Sequence, residues 1–180
     1  MRGQRISQRE ITGVLASLSG LPISRVWRGH GTAVFFELGK LHPDKNLRGK
    51  DSPKGDVSLM IESSWRVEKA RSIWFGAFSS QKTINSRLPK LVGFKLKTAS
   101  LEGRLPELRL ALSDGLWFGS YACEQGQQEW AIFTMSHCYY AKAQSFYKEK
   151  RKAMLNLAVK QPADEPSALL DSGTTRPHPR

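Results

Sequence analysis

Leu108, Leu110 and Leu112 alternate with Arg109 and Ala111, Ser113-Asp114-Gly115 follows, and Leu116, Phe118 and Ser120 resume the same period of two. Alternation on both sides of an Asp-Gly turn predicts a β-hairpin, because glycine takes the positive φ of a tight turn freely and aspartate tolerates it. Glu124 to Gln128 then reverses the chain again into Glu129, Trp130, Ala131, Ile132 and Phe133, so a three-stranded meander is expected.

The other segments read as additions to that sheet. Ser7 and Glu10 have the spacing of a capping box, and Ile11, Val14, Leu15 and Leu18 fall on one helical face, which predicts a helix over 7–18 stopped by Gly20 and Pro22. Residues 23–41 predict two strands around Gly29-His30-Gly31. Residues 42–55, with two prolines and two glycines, predict an exposed loop. Alternation from Leu59 through Trp65 to Val67 predicts a strand or a bent pair of strands, followed by another at 71–75. Ile84 and Leu88 stand four apart in a short helix ended by Pro89. Tyr139, Ala143, Phe146 and Tyr147 fall near one face of a Lys- and Ala-rich stretch, which predicts a basic helix. The Pro- and Ser-rich end predicts a disordered tail.

The expected fold is therefore α+β: one curved, mainly antiparallel sheet of about six to eight strands, with an N-terminal helix and a C-terminal basic helix. Its expected parts are a basic arm (1–6), an α+β domain (7–135), a basic helical extension (136–160) and the tail (161–180). On that division, removing everything after Phe133 leaves the domain folded.

Charge changes this picture most. Lys and Arg number 28 against 16 Asp and Glu, a formal net charge of +12, which biases the partner toward something anionic. No run of residues reaches the roughly 18 apolar positions of a membrane span, and no secretory signal opens the chain, so a cytoplasmic protein without a membrane partner is expected. Cys123 and Cys138 lack CxxC spacing and a His at ligand distance, so free thiols and no metal are expected. No Walker loop, GxGxxG, HExxH or zinc-finger spacing is present, and no cofactor is expected.

The order Trp27-Arg28-Gly29-His30-Gly31-Thr32, Phe36-Glu37-Leu38-Gly39, Gly55 to Glu62, and Trp65-Arg66-Val67-Glu68, with the later Leu91-Val92-Gly93, Leu108-Arg109-Leu110, Ser113 to Leu116 and Glu129-Trp130, resembles a family of small uncharacterised bacterial proteins without an assigned activity. In size and sheet-with-helix build these resemble immunity proteins of bacterial conflict systems. The resemblance implies a non-catalytic inhibitor or immunity-like protein with a macromolecular interface, and a protein is the preferred partner.

The binding surface expected on this reading comprises Arg28, Gly29, His30, Gly31, Glu62, Arg66 and Trp117. Glu62, Ser64, Arg66 and Glu68 share one strand parity and could line a polar cleft, while Trp117 should face away from Leu116 and Phe118. Trp27, Trp65, Trp74 and Trp130 are expected mostly in the core. An alternative is nucleic-acid binding through Arg2, Arg5, Arg9, Lys82, Arg87, Lys90, Lys95, Lys97, Lys148, Lys150, Arg151 and Lys152, with tryptophans stacking bases. A third reading is a hydrolase or nuclease built on His30, the one residue that resembles a catalytic group.

Overall fold

A computed structural model describes residues 3–46, 48–62, 64–123, 126 and 128–151. Two antiparallel sheets replace the single sheet expected. Strands β1 (Gln4–Ile6), β2 (Ile23–Arg28), β3 (Val34–Leu38), β4 (Val57–Ile61), β10 (Gln128–Phe133), β11 (His137–Lys142) and β12 (Ser145–Lys150) form a seven-stranded sheet in the order β1-β12-β11-β10-β4-β3-β2. Strands β5 (Ser64–Lys69), β6 (Ser72–Gly76), β7 (Leu96–Glu102), β8 (Glu107–Leu112) and β9 (Trp117–Tyr121) form a five-stranded sheet in the order β6-β5-β9-β8-β7. Helices α1 (Gln8–Ala16) and α2 (Gln81–Arg87) complete the set, and α2 runs into a 3-10 segment at Leu88–Leu91.

The sheets meet face to face. Phe36 of β3 packs edge-on against Phe118 of β9 with centroids 5.1 Å apart, and Trp65 of β5 stacks on the same phenyl ring at 5.6 Å. All three are buried, together with Leu59, Ile61, Val67, Leu110 and Trp130. Alternation in both sheets supplies this core, and Phe118→Ala at its centre is expected to cost about 3–5 kcal/mol.

The anticipated hairpin forms between β8 and β9, with Asp114 at φ 59° and Gly115 at φ 72° in its turn. The meander does not, because β10 leaves β9 and joins the other sheet. Two crossings run side by side here: β4 passes to β5, β9 passes to β10, and the Glu62 N–H donates to the Glu129 carbonyl at 3.1 Å. Opposite, Pro22 bridges Lys95, and Ile23 N–H donates to the Phe94 carbonyl at 2.8 Å. The sandwich is thereby joined along both sides, as in a partly closed barrel.

The helix begins where the capping pattern places it. Ser7 Oγ accepts from the Glu10 N–H, and Ile11 and Leu15 are buried. The Glu10 carboxylate, however, reaches across to Lys148 Nζ at 3.3 Å instead of closing the capping box. Since α1 also packs on β7, it spans the gap between the two sheets.

The C-terminal helix is corrected by strands β11 and β12. Ala141 and Cys138 are buried, Phe146 packs against the core, and β1 pairs with β12 from Gln4 opposite Lys148 to Ile6 opposite Phe146. Residues 4–6 are thus part of the sheet rather than a free arm. Cutting after Phe133 removes two strands and, among the described residues, the strand that pairs with β1, so that truncation is expected to abolish folding. Arg151 closes the described part of this segment, and the expected tail lies outside the described residues.

Candidate functional site

Gly29-His30-Gly31 forms the tip of the β2–β3 hairpin. The Gly29 N–H donates to the Ala33 carbonyl at 2.9 Å, the Ala33 N–H to the His30 carbonyl at 3.1 Å, and Arg28 Nη2 to the Gly31 carbonyl at 2.9 Å. A Cβ at Gly29 would lie 2.7 Å from the Phe35 ring, and Gly31 sits at φ 59°, so turn geometry accounts for both glycines. His30 is exposed, and its imidazole makes no hydrogen bond or ion pair among the described residues. Among those residues, no three His, Cys, Asp or Glu side chains gather as a metal-ligating group, and no helix is long and apolar enough to cross a membrane.

Arg66 and Trp117 do come together, on the outer face of the five-stranded sheet, around Glu68. Arg109 Nη2 and Nη1 grip the Glu68 carboxylate at 2.7 and 3.1 Å, Arg66 Nε donates at 2.6 Å, and Tyr121 Oη at 2.9 Å. Arg66 lies 4.2 Å from the Tyr121 ring centre and Arg109 5.0 Å from that of Trp117. The Arg109 guanidinium, with smaller help from Arg66 and Tyr121, holds the Glu68 carboxyl down at about 2. Gly119 makes room for this, since a Cβ there would fall 2.7 Å from Tyr121 Oη. The cluster consumes its own charges. Glu62 does not join it: it stands exposed at the β4–β5 crossing, its carbonyl accepting from Thr32 Oγ1 at 3.0 Å. The polar cleft is therefore an ion network laid on a sheet.

The outer face of the larger sheet carries a row that sequence reasoning missed. Register places Trp27, Phe35, Met60, Ala131, Tyr140 and Tyr147 opposite one another on successive strands. Trp27 and Phe35 stack at 3.9 Å, and Tyr140 and Tyr147 at 5.2 Å. Beside the row, Glu37 is fully buried, holding Lys54 Nζ at 3.1 Å, the Gly55 N–H at 3.0 Å and the Ser58 hydroxyl. That carboxylate pins the end of the 42–55 loop over the sheet.

The basic residues divide by their partners. Lys148 is paired with Glu10; Arg5, Arg9 and Lys150 are exposed on separate elements; Arg151 Nη1 lies 4.0 Å from Met135 Sδ; Arg2 and Lys152 lie outside the described residues. Lys82, Arg87 and Lys90 behave differently. From Lys69 to Leu101 there is no Asp or Glu, and Lys69, Arg71, Lys82, Arg87, Lys90, Lys95 and Lys97 all fall in that stretch. None is in an ion pair among the described residues.

Residues 69–91 of the stretch form a ledge, while Lys95 and Lys97 stand at β7, the opposite edge of the sheet. Strand β6 is an edge strand, α2 packs on it, and Leu88–Leu91 carries the chain back toward β7. Arg87 Nη1 donates to the Trp74 carbonyl, and the Trp74 ring has Lys69 at 5.2 Å and Arg87 at 6.0 Å from its centre. Two apolar side chains stand out on the ledge: Ile73 is 62% exposed and Phe78 83% exposed. Of the tryptophans expected in the core, Trp65 and Trp130 are there, whereas Trp27 and Trp74 are half-buried on outer surfaces. Trp117 faces away from buried Phe118 as its parity requires.

A concavity of about 480 Å³ beside the β9–β10 crossing is lined by Leu105, Pro106, Cys123, Glu129, Ala143 and Gln144 among others. Among the described residues its lining holds no His, Lys or Arg. Cys123 is an exposed free thiol; Cys138 is buried, and burial with Glu149 nearby pushes its thiol up to about 12, which makes it inert. Compared with protein families, curated proteins and solved structures, the chain matches none. Its function must be argued from this geometry.

Proposed function

We propose that this chain is a non-catalytic binding protein whose working surface is the β6–α2 ledge and whose partner is a nucleic acid. The observation that carries this reading is the missing counter-charge: Lys69, Arg71, Lys82, Arg87 and Lys90 lie along the β5–β6 hairpin, α2 and the 3-10 segment, and none is in an ion pair among the described residues. Like charges kept together without an internal anion raise the folding free energy, and phosphates relieve them. An aromatic ring held between two of the cations is the recurring companion of phosphate contacts in nucleic-acid binders. His30, isolated at a turn tip, supplies no partner for hydrolysis in the described residues.

Titration of a fluorescein-labelled oligonucleotide against NaCl tests the reading. About four phosphate contacts predict a slope of log K against log salt near −3 to −4. Lys82→Glu with Lys90→Glu should lower that slope by about 1.5 to 2. A slope near zero, or binding indifferent to both substitutions, would discard the ledge as the interface.

The aromatic row on the seven-stranded sheet favours a second reading. Trp, Tyr and Met are enriched at protein interfaces, so an inhibitor or immunity-like protein would use this row. Tyr147→Glu should then abolish capture of a protein partner from nuclease-treated lysate while leaving oligonucleotide binding intact.

A further inference from the structure

Resting on the nucleic-acid reading of the ledge, we infer that its ligand is single-stranded, with an unpaired base stacking on Phe78. The phenyl ring is the most exposed of the large apolar side chains in the described residues, at 83%. Burying so large an apolar side chain is favourable, a gain the isolated chain leaves unrealised.

Its backbone is nevertheless held firmly. The Ser79 N–H donates to the Gly76 carbonyl at 3.0 Å, the Gly76 N–H donates back to Ser79 Oγ at 3.0 Å, and Ser80 caps α2 by accepting from the Thr83 N–H at 3.2 Å. The ring therefore projects from a fixed turn between β6, which carries Trp74, and α2, which carries Lys82, so little backbone ordering is left to oppose binding.

A duplex would find no use for this arrangement. Its bases are stacked inside, and a flat basic surface meets only phosphates. Helix α2 does not stand clear to enter a groove: it buries Ile84 and passes directly into buried Leu88 and Leu91. A single strand offers both an exposed base face for Phe78 and phosphates for Lys69, Arg71, Lys82 and Lys90. Stacking of this kind is tolerant of sequence.

The test uses the full chain and three probes: a labelled 12-mer of deoxythymidine, a 12-base-pair duplex of mixed sequence, and vesicles of phosphatidylserine and phosphatidylcholine. The wild type should bind the 12-mer more tightly than the duplex. Phe78→Ala should weaken the 12-mer roughly 5- to 100-fold, leaving duplex affinity, salt slope and thermal midpoint unchanged. Phe78→Trp should restore binding and report it by quenching of the new indole. Equal binding of both nucleic acids with Phe78→Ala silent would overturn the stacking inference and leave the ledge reading standing. No binding to either nucleic acid overturns both, and vesicle binding in that case assigns the ring and cations to an anionic lipid surface.

Discussion

Two arginine- and aromatic-rich regions lie on the same five-stranded sheet and differ in one respect. Around Glu68, Arg66 and Arg109 meet a carboxylate, a tyrosine hydroxyl and two aromatic faces; along β6 and α2, Lys69 and Arg87 meet Trp74 and, among the described residues, pair with no carboxylate. The first region is complete, and its charges serve the fold. The second has no ion pair among the described residues, and the nucleic-acid proposal rests on that lack rather than on the number of cations. A net charge of +12 says only that anions are short; ion pairing says where.

Substitutions can break this contrast. The largest effect is expected at Glu68, whose removal strands two arginines against each other. Lowering its carboxyl from the ordinary 4.5 to about 2 corresponds to about 3 kcal/mol unscreened, and to about 1–2 kcal/mol of stability at neutral pH once solvent screening of this surface network is allowed for. Because the folded value is depressed, this stabilisation is complete above pH 4.5 and vanishes as pH falls toward 2. Urea unfolding of Glu68→Gln at a series of pH values should therefore show a lower midpoint at pH 7 that converges on the wild type near pH 2; parallel curves would contradict the pairing.

Arg109→Lys keeps the charge but loses the two-pronged grip and the contact with Trp117, for an expected cost of about 1–1.5 kcal/mol. The smallest effect belongs to the ledge. Lys82→Glu with Lys90→Glu should change stability by less than about 0.5 kcal/mol, measured by thermal denaturation, even where it lowers the salt slope of the proposed oligonucleotide binding. A ledge variant that unfolds would erase the distinction between the regions.

Much of the local structure was legible. The cap at Ser7, the Asp-Gly hairpin, the short helix before Pro89 and the outward parity of Trp117 each follow from a signal within ten residues. Partition into two sheets was not, because Ile61 and Trp65, or Tyr121 and Trp130, look the same whether a strand bends onto a second sheet or continues in the first. The β11–β12 hairpin was missed for a different reason. Its turn places Ala143 at φ 48° and Gln144 at φ 61°, where Asn-Gly is the usual signature, while Ala, Lys and Gln read as helix formers. Gln144→Gly should relieve that turn and raise stability by about 1 kcal/mol, read from the urea midpoint.

Charge was legible as a sum and a distribution, but the pairings were not. Glu10 and Lys148 stand about 140 residues apart, and nothing local joins them. Lys82, Arg87 and Lys90 were visible as cations; that Trp74 lies between Lys69 and Arg87, and that Phe78 is left bare, required the fold.

The pairing of β1 with β12 fixes an order of events during synthesis. Gln4 lies opposite Lys148, so β1 waits after its synthesis for β12. At about 5–20 residues per second, that wait is roughly 7–30 s. Throughout it, Ile6 lacks its partner strand, whereas α1 can already rest on β7 once residues 96–102 are made, so any chaperone that attends this chain after that point should be found on β1.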